Sequence, residues 1–343
     1  MNRAPRVGHC AIVTGVLLWA ATVGGCKESP SPQRSPALRK IRVALSPHLS
    51  WGPLMMAKEE GFFSEEGLDV EFISLLRSEE SLVALLSGDV DVVPGPLHPG
   101  LFSAVTRGGA VRIVGGMNFL ARNGCTYHGL VLRPGLSPAQ ADHRIRRLDA
   151  SRDGASRYLT SRMLATRGID IDTLETIKLP SAVTEHSLQT GAVDAAAVTE
   201  PFLTRTSRHG VLWLRAQDAT PDFQWAVISF GDRLLRRDRD TGVRFLVAFR
   251  RGVEQFNSGK TAHNLEVLGR ATQEDRGILE QSCWPAFRAD ARVNLESVLG
   301  YQQWAREHRY LDQSATLEQL WDSSFVVASD TAVARHRGSQ TKE

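Results

Sequence analysis

The sequence has almost no net charge with which to attract a polyanion. Its 343 residues contain 41 Lys and Arg against 38 Asp and Glu, a formal charge of +3 at pH 7. Arg3 and Arg6 lie in a leader that we expect to be removed, so the mature chain carries about +1. Many of the remaining basic residues alternate with acids, as in residues 233–240, which is typical of a solvated surface. The charge pattern therefore excludes nucleic acid as a partner.

Cysteine is also scarce. Of the four cysteines, Cys10 and Cys26 lie in or next to the leader, which leaves Cys125 and Cys283 in the body of the chain. No Cys-x-x-Cys pair and no Cys/His spacing indicates a metal site, so no metal and no cofactor is predicted. In an oxidising compartment the last two cysteines form a disulfide or remain buried thiols, and the sequence leaves both outcomes open.

The sequence shows no catalytic motif either. It has no Walker loop and no serine nucleophile elbow with histidine and acid in order. The glycine pairs at 108–109 and 115–116 do not open a helix with the spacing of a phosphate-binding loop, so they indicate turns. We therefore predict that the protein is not an enzyme and has no catalytic residues.

No apolar run is long enough to span a bilayer, which takes roughly 20 residues. Residues 10–23 are apolar, follow a basic start and end at Val-Gly-Gly-Cys26. This pattern predicts a lipoprotein signal peptide over residues 1–25, lipid attachment at Cys26 and a Pro- and Ser-rich tether over residues 26–38. The protein is then exported and lipid-anchored to a bacterial membrane, facing the periplasm or the cell exterior. The alternative is an ordinary signal peptide with an incidental Cys26.

From residue 41 onward, β-branched runs alternate with amphipathic stretches, which predicts α/β architecture. In the first round, Ser78 is expected to cap one helix and Gly88 to end it. Predicted strands cover 41–45, 69–73, 90–93 and 111–114, and predicted helices cover 53–60, 78–87 and 99–107.

A second round follows, and it resembles the first. After residues 129–132, strands are predicted at 147–150, 176–179 and 195–198, and helices at 155–167 and 183–190. The run LLSGDVD at 85–91 is echoed by LQTGAVD at 188–194, which suggests two similar lobes. From residue 234 the strands give way to helical periodicity, with helices predicted at 243–256, 262–271, 273–281 and 292–307.

Several segments in a fixed order resemble the substrate-binding proteins of nitrate, sulfonate, taurine and thiamine-precursor ABC importers. The similarity covers nearly the whole mature chain. It departs from that family at 136–147, where the usual Leu-x-Gly-Lys segment is absent. The segments that carry it are 46–54 (SPHLSWGPL), 57–63 (AKEEGFF), 66–70 (EGLDV), 84–91 (ALLSGDVD), 191–195 (GAVDA), 200–202 (EPF) and 301–304 (YQQW).

The resemblance implies a two-lobed, type II periplasmic-binding-protein-like α/β fold. Each lobe would be a mainly parallel sheet flanked by helices, with the helical C-terminal part packed on lobe one. Chain crossings are expected near 118–128 and 224–230, and closure by hinge rotation is implied. The expected division is lobe one at 39–122 and 229–330, lobe two at 123–228 and a C-terminal tail at 331–343.

The resemblance also implies a function. The protein would be the extracytoplasmic solute-binding component of an ABC importer, trapping a small anionic or flat heterocyclic or aromatic solute between its lobes. Its partners would be that solute, an ABC permease with its ATPase, and membrane lipid through acylated Cys26, and it would act as a monomer. The alternatives are a cleft enzyme of the same fold, similar to a thiamine-pyrimidine synthase or a chorismate-derived lyase, and a lipid-anchored solute sensor. The leader argues against the two cytosolic enzymes.

Candidate ligand-binding residues follow from the rule that ligands lie beyond the carboxyl ends of strands in open α/β sheets. Helix N-termini in the same loops would suit an anion. Loops after four strands, together with the two crossing segments, supply the candidates: His48, Ser50, Trp51, Gly95, His98, Asn118, Ser151, Arg152, Ser156, Thr199, Glu200 and Trp225.

Most of these residues have a structural alternative. The two histidines are also explained as exposed loop residues, and the tryptophans as core residues. Ser151 and Ser156 are also explained as helix caps. Glu200 is also explained as part of the architecture of its lobe, since burying its carboxylate unpaired would be costly.

Overall fold

A computed structural model describes residues 37–75 and 77–340 of the chain. The predicted signal peptide, Cys26 and all but the last two residues of the predicted tether lie outside the described residues. Within those two ranges, no helix combines the length and the apolar character needed to cross a membrane.

Strands and helices alternate along the chain, and most of those in the two predicted α/β rounds lie where the hydrophobic patterning predicts them. The strands are β1 Arg39–Leu45, β2 Leu68–Ser74, β3 Val92–Pro96, β4 Val111–Gly116, β5 Asn118–Phe119, β6 His128–Leu132, β7 Arg147–Asp149, β8 Glu175–Ile177, β9 Ala195–Thr199, β10 Val211–Arg215, β11 Ala226–Gly231 and β12 Ala286–Phe287. The helices are α1 Gly52–Glu59, α2 Phe62–Glu65, α3 Ser78–Ser87, α4 Pro99–Thr106, α5 Pro138–Arg144, α6 Gly154–Ala165, α7 Ser181–Gln189, α8 Phe202–Thr206, α9 Ala216–Ala219, α10 Arg239–Asn257, α11 Ala262–Thr272, α12 Arg276–Gln281, α13 Leu295–Glu307, α14 Leu317–Leu320 and α15 Ser324–Gln340. Short 3₁₀ turns lie at Leu49–Trp51 and Ile171–Thr173, and a π-helical turn at Arg233–Arg237.

Two five-stranded sheets organise these elements. The first has the strand order β2-β1-β3-β11-β4 and the second β10-β6-β9-β7-β8. In each sheet four strands run in one direction and one runs against them, namely β11 in the first and β6 in the second. The opposed strand is in both cases the first strand after the chain changes sheets. The predicted mainly parallel sheets are therefore confirmed, with one antiparallel strand in each.

The repeated sequence motif has the same structural role in both sheets. Gly88, directly after α3, and Gly191, with one residue between it and the end of α7, both adopt the left-handed conformation, with φ of 82° and 71°. Asp91, three residues after the first glycine, accepts a hydrogen bond from the Arg42 backbone N–H in β1 at 2.8 Å. Asp194 accepts the equivalent bond from Arg147 in β7 at 3.0 Å.

The arginines of those two strands extend the correspondence. The Arg42 guanidinium donates to the Gly88 carbonyl at 2.6 Å, and the Arg147 guanidinium donates to the Gly191 carbonyl at 2.7 Å. A strand-borne arginine thus covers the C-terminal end of α3 in the first sheet and of α7 in the second, where carbonyl groups would otherwise lack partners. The predicted similarity of the two halves is present in their hydrogen bonds as well as in their sequence.

The C-terminal helices pack on the first sheet, and α10 is central to them. Its apolar stripe of Phe245, Phe249, Val253 and Phe256 is buried throughout. The helix lies against α1 and α15, and Gly252 faces α1 so closely that an added Cβ would lie 2.1 Å from the Pro53 carbonyl oxygen.

Some sequence predictions differ from the structure. The N-cap of α3 is Arg77 rather than Ser78, because the helix already includes Ser78 as its first residue. No element was predicted at strands β5, β10, β11 and β12 or at helices α2, α5, α8, α9, α14 and α15. Strand β12 also shows that strands do not end at residue 234. Helix α15 continues to Gln340, across the boundary expected at residue 330.

A disulfide joins Cys125, between β5 and β6, to Cys283, between α12 and β12, with a Cα–Cα distance of 5.6 Å. This is one of the two outcomes that the sequence leaves open. The two-stranded ribbon of β5 and β12 lies beside it and pairs the first crossing segment with the C-terminal part of the chain.

Close helix packing at Gly252 generates a stability prediction. Gly252→Ala should lower the free energy of unfolding by about 1–3 kcal/mol, because the new methyl group forces α10 away from α1. Gly300→Ala in α13 is the matched control, since an added Cβ there meets nothing within 4 Å. The control should be neutral or stabilising by up to about 1 kcal/mol, as expected for alanine in place of glycine in a helix. Urea unfolding measures both variants. Equal free energies of unfolding for Gly252→Ala and Gly300→Ala would contradict the close packing of α10 on α1.

Candidate functional site

A cavity of about 300 Å³ lies between the two sheets, at the carboxyl ends of their strands. The first sheet contributes the loops after β1, β2 and β3, and β11 contributes one wall. The second sheet contributes the loops after β7, β8 and β9. Strand-end loops of both sheets therefore surround the same space, as predicted from the sequence.

The loop after β1 brings the first sheet into contact with the start of the second. Ser50 lies in the 3₁₀ turn that precedes α1 and is buried. Its hydroxyl is 2.5 Å from that of Tyr127, the residue immediately before β6. Tyr127 is itself buried, and burial raises its pKa, so its hydroxyl stays protonated. The hydrogen bond closes the cavity on this side.

A second direct contact between the sheets involves backbone alone. The Ala155 N–H at the start of α6 donates to the Leu97 carbonyl, in the loop between β3 and α4, at 2.9 Å. A third contact joins the Tyr310 hydroxyl to the Arg152 carbonyl at 2.9 Å. The structure thus has its two halves closed over the cavity.

Aromatic rings form much of the wall. Trp225 is 8 % exposed and lies 5.1 Å from His128 and 6.1 Å from Tyr127, measured between ring centroids. Trp51 is only partly buried, and its ring centroid lies 5.9 Å from that of His48. The Trp51 Nε1 atom is buried and has no hydrogen-bond partner among the described residues. It is therefore a donor available to a ligand.

The serines around α6 line the cavity and do not cap the helix. The N-cap of α6 is Asp153, with no side-chain capping bond, so the structural alternative for Ser151 and Ser156 is wrong. Both are partly buried and contribute to the cavity wall. Arg152, between them, has an exposed side chain outside the lining.

Some charged side chains at the cavity have hydrogen-bond or ion-pair partners among the residues that the structure describes, and one does not. Asp149 is buried, and its carboxylate accepts hydrogen bonds from the Leu179 N–H at 3.0 Å and the Thr184 hydroxyl at 2.6 Å. Lys178 also lines the cavity, and within the described part of the chain its ammonium group makes no hydrogen bond or ion pair. Arg77, also in the lining, has Glu79 and Glu80 within 4.0 Å. Lys178 is therefore the cation left to meet a ligand.

Glu200 lines the cavity, but its carboxylate is engaged by the protein. It accepts hydrogen bonds from the Thr204 N–H at 3.0 Å, the Thr204 hydroxyl at 2.9 Å and the Cys283 N–H at 3.0 Å. Burial raises its pKa, and these bonds act in the opposite direction. The contacts support the architectural alternative for Glu200, because they hold the start of α8 and join it to the C-terminal part of the chain.

Two histidines near the cavity are neutral at pH 7. Burial lowers the pKa of His98 to about 4. Burial, assisted by the nearby Lys178 ammonium, lowers the pKa of His128 to about 3. His128 Nδ1 is 2.9 Å from the Thr199 hydroxyl, and His128 is fully buried.

The structure brings together all of the predicted ligand-binding residues except Asn118 and Arg152. Asn118 is fully buried in β5, outside the cavity lining, and its amide atoms have no partner among the described residues. Sequence analysis missed Tyr127 and Lys178. The strand-end rule would have found Lys178, which directly follows β8, whereas Tyr127 precedes a strand and has no such signal.

A comparison with protein families gives one match. A family model described as NMT1-like matches residues 34–212, just over half of the chain. The YtlA protein of Bacillus subtilis, described as a binding protein, is 32 % identical over 93 residues. That alignment spans 27 % of this chain and 25 % of YtlA, so the chain matches only about a quarter of this relative's length.

Solved structures share the fold at low sequence identity. The ligand-binding component of an ABC-type import system from Staphylococcus aureus has a TM-score of 0.71 and 14 % identity, covering 84 % of this chain and 98 % of that one. The periplasmic aliphatic sulphonate-binding protein SsuA from Escherichia coli has a TM-score of 0.67 and 16 % identity over 84 % and 93 %. The desulfurization enzyme DszB has a TM-score of 0.63 and 16 % identity over 87 % and 99 %. These likenesses confirm the two-lobed α/β fold of periplasmic binding proteins.

Buried His128 generates a pH prediction. In the unfolded chain the His128 side chain binds a proton near pH 6.5, whereas in the folded protein its pKa is lowered to about 3. The free energy of unfolding is therefore highest above pH 6.5 and falls as the pH is lowered from 6.5 towards 3. The contribution of His128 is about 1.4 kcal/mol per pH unit. Between pH 6.5 and pH 5, the free energy of unfolding of His128→Gln should therefore fall by about 2 kcal/mol less than that of the wild type. Above pH 7 the two proteins should differ in free energy of unfolding by a constant amount. If the free energies of unfolding measured in urea change in parallel for the two proteins down to pH 5, the lowered pKa of His128 is contradicted.

Proposed function

Because this chain belongs to the NMT1-like family, we propose that it is the solute-binding component of an ABC importer. One observation carries the proposal: strand-end loops of two sheets enclose a single cavity of about 300 Å³. A space of this size, closed on both sides by hydrogen bonds between the sheets, suits retention of one small molecule. Release would then require the two lobes to separate, which is how a binding protein alternates between capture and delivery.

The solved structures of similar fold support this proposal. One is the ligand-binding component of an ABC-type import system, and another binds aliphatic sulphonates in the periplasm. By this proposal the protein is exported, acts as a monomer and delivers its solute to a permease with its ATPase. No step of this function requires a cofactor.

The lining of the cavity supports a flat solute that carries an anionic group. Trp51, Tyr127 and Trp225 present rings to the space, and ring stacking favours a flat aromatic or heterocyclic body. Lys178 offers an unpaired ammonium group, while the carboxylates of Asp149 and Glu200 are already occupied by protein donors. An anion at Lys178 would replace water as its partner and form a charge-assisted hydrogen bond.

A cleft enzyme of the same fold is the second candidate, because DszB, a desulfurization enzyme, shares the architecture. The cysteines at 125 and 283 are bonded to each other, so neither offers a free thiol for covalent catalysis while the disulfide is intact. This favours binding over chemistry at the site. A lipid-anchored sensor would bind solute in the same way, and a neighbouring kinase gene in place of permease and ATPase genes would indicate that role.

Thermal unfolding with a solute panel tests the proposed function. Cys26→Ser protein should be stabilised by at least one member of a panel of sulfonates, nitrate, carboxylated aromatics and pyrimidines. At a hundredfold excess over the dissociation constant, the gain should be about 2.7 kcal/mol. A panel with no stabilising member, and no small molecule retained on purification, would contradict the proposal.

Lys178→Met tests the anionic group of the solute. It should weaken binding of an anionic panel member by about tenfold to a hundredfold, the effect of losing a hydrogen bond to a charged group. Lys40→Met is the matched control, because Lys40 is exposed, pairs with Glu71 and lies outside the cavity. Calorimetric titration measures both. Equal affinities for the two variants would show that Lys178 does not contact the solute.

The lipid anchor is tested by metabolic labelling. Cells expressing the wild-type chain in the presence of a labelled fatty acid should incorporate label into the protein, and Cys26→Ser should incorporate none. Two or more acyl chains are needed for stable anchoring, so the variant should also leave the membrane fraction. Equal labelling of both proteins would rule out Cys26 as the attachment site.

A further inference from the structure

The Cys125–Cys283 disulfide joins two segments that are far apart in sequence and meet beside the cavity. The cysteines are 158 residues apart along the chain. Cys125 belongs to the first crossing segment, which leads into β6 and the second sheet. Cys283 belongs to the C-terminal part, between α12 and β12. The bond therefore ties the entrance of one lobe to the helices of the other.

Cys283 is one hydrogen bond away from the cavity wall. Its backbone N–H donates to the carboxylate of Glu200 at 3.0 Å, and Glu200 lines the cavity. The same carboxylate accepts from the Thr204 N–H at the start of α8. The position of Glu200 thus depends on where Cys283 is held.

Two side-chain contacts strengthen this junction. Arg205 in α8 forms an ion pair with Glu274, whose side chain is almost fully buried. Arg208, just after α8, donates to the Gln281 side chain at 3.1 Å. Both contacts join α8, or the residues just after it, to the segment that ends at Cys283, so the disulfide and these bonds hold one interface between the lobes.

The disulfide is accessible from one side only. Cys125 is exposed, whereas Cys283 is 9 % exposed. An incoming thiolate reaches the Cys125 sulfur first, and the Cys283 sulfur then leaves as a thiolate. Two electrons and two protons from a dithiol reductant convert the disulfide into two thiols, and the reductant becomes a disulfide.

We propose that the Cys125–Cys283 disulfide is a redox-sensitive brace of the cavity wall. Oxidised, it fixes Cys283 and, through the backbone bond, Glu200 and the start of α8. Reduced, it frees Cys283 to move away from Glu200, and the cavity wall loosens. The consequence, weaker retention of solute by the reduced protein, rests on the proposed function, whereas the brace itself does not.

Amide hydrogen exchange tests the brace without any ligand. The full chain carries Cys10→Ser and Cys26→Ser, so that the disulfide supplies the only cysteines. Exchange at the Thr204 and Cys283 amides is compared before and after reduction by dithiothreitol, with intact mass confirming the gain of two hydrogens. Amides of β1 and β2, which lie outside the braced interface, serve as the internal reference.

Reduction should speed exchange at Thr204 and Cys283 by about tenfold, the effect of losing a hydrogen bond to a charged acceptor. The reference amides should not change. A second protein that also carries Cys125→Ser and Cys283→Ser should show the fast rates at the outset and no response to dithiothreitol. Unchanged rates at both amides, or equal acceleration at the reference amides, would overturn the proposal, because the bond would then have no local effect or only a global one.

Discussion

The constraint on which the whole structure depends is that the chain changes sheets twice. Each change places one antiparallel strand, β6 or β11, inside a sheet whose other strands run together. The loops at the carboxyl ends of both sheets consequently face one another. Without the return of β11 to the first sheet, between β3 and β4, Trp225 would not lie between the two sets of loops. Topology, more than any single side chain, creates the cavity.

The contacts that close the cavity include polar bonds and an aromatic cluster in which Tyr158 of α6 packs against Tyr301 and Trp304 of α13. The Ser50–Tyr127 hydroxyl pair, the Ala155–Leu97 backbone bond and the Tyr310–Arg152 bond each contribute about 1 kcal/mol at most beyond what water would supply. Buried carboxylates at the site are satisfied by protein donors, which leaves Lys178 and the Trp51 indole for a ligand.

Sequence patterning predicted most strands and helices of the two α/β rounds because these depend on local hydrophobic periodicity, but it predicted no strand at β10, β11 or β12. The repeated glycine and aspartate motif also predicted two similar halves, and Asp91 and Asp194 occupy equivalent positions. The strand-end rule placed most candidate residues at the cavity. Residues whose role depends on distant partners could not be predicted in this way. Tyr127 matters through Ser50, and the pairing of Cys125 with Cys283 depends on tertiary contacts between segments 158 residues apart.

The most direct test of the central claim is native mass spectrometry of the purified protein, compared with a variant whose cavity is filled. Gly95 lies in the cavity wall, and a side chain added there meets open space. The account predicts that the unmodified protein carries one small molecule, either retained on purification or taken up from the solute panel, and that Gly95→Leu carries none while remaining folded. A bare polypeptide mass for the unmodified protein under every condition, or the same adduct on Gly95→Leu, would contradict it.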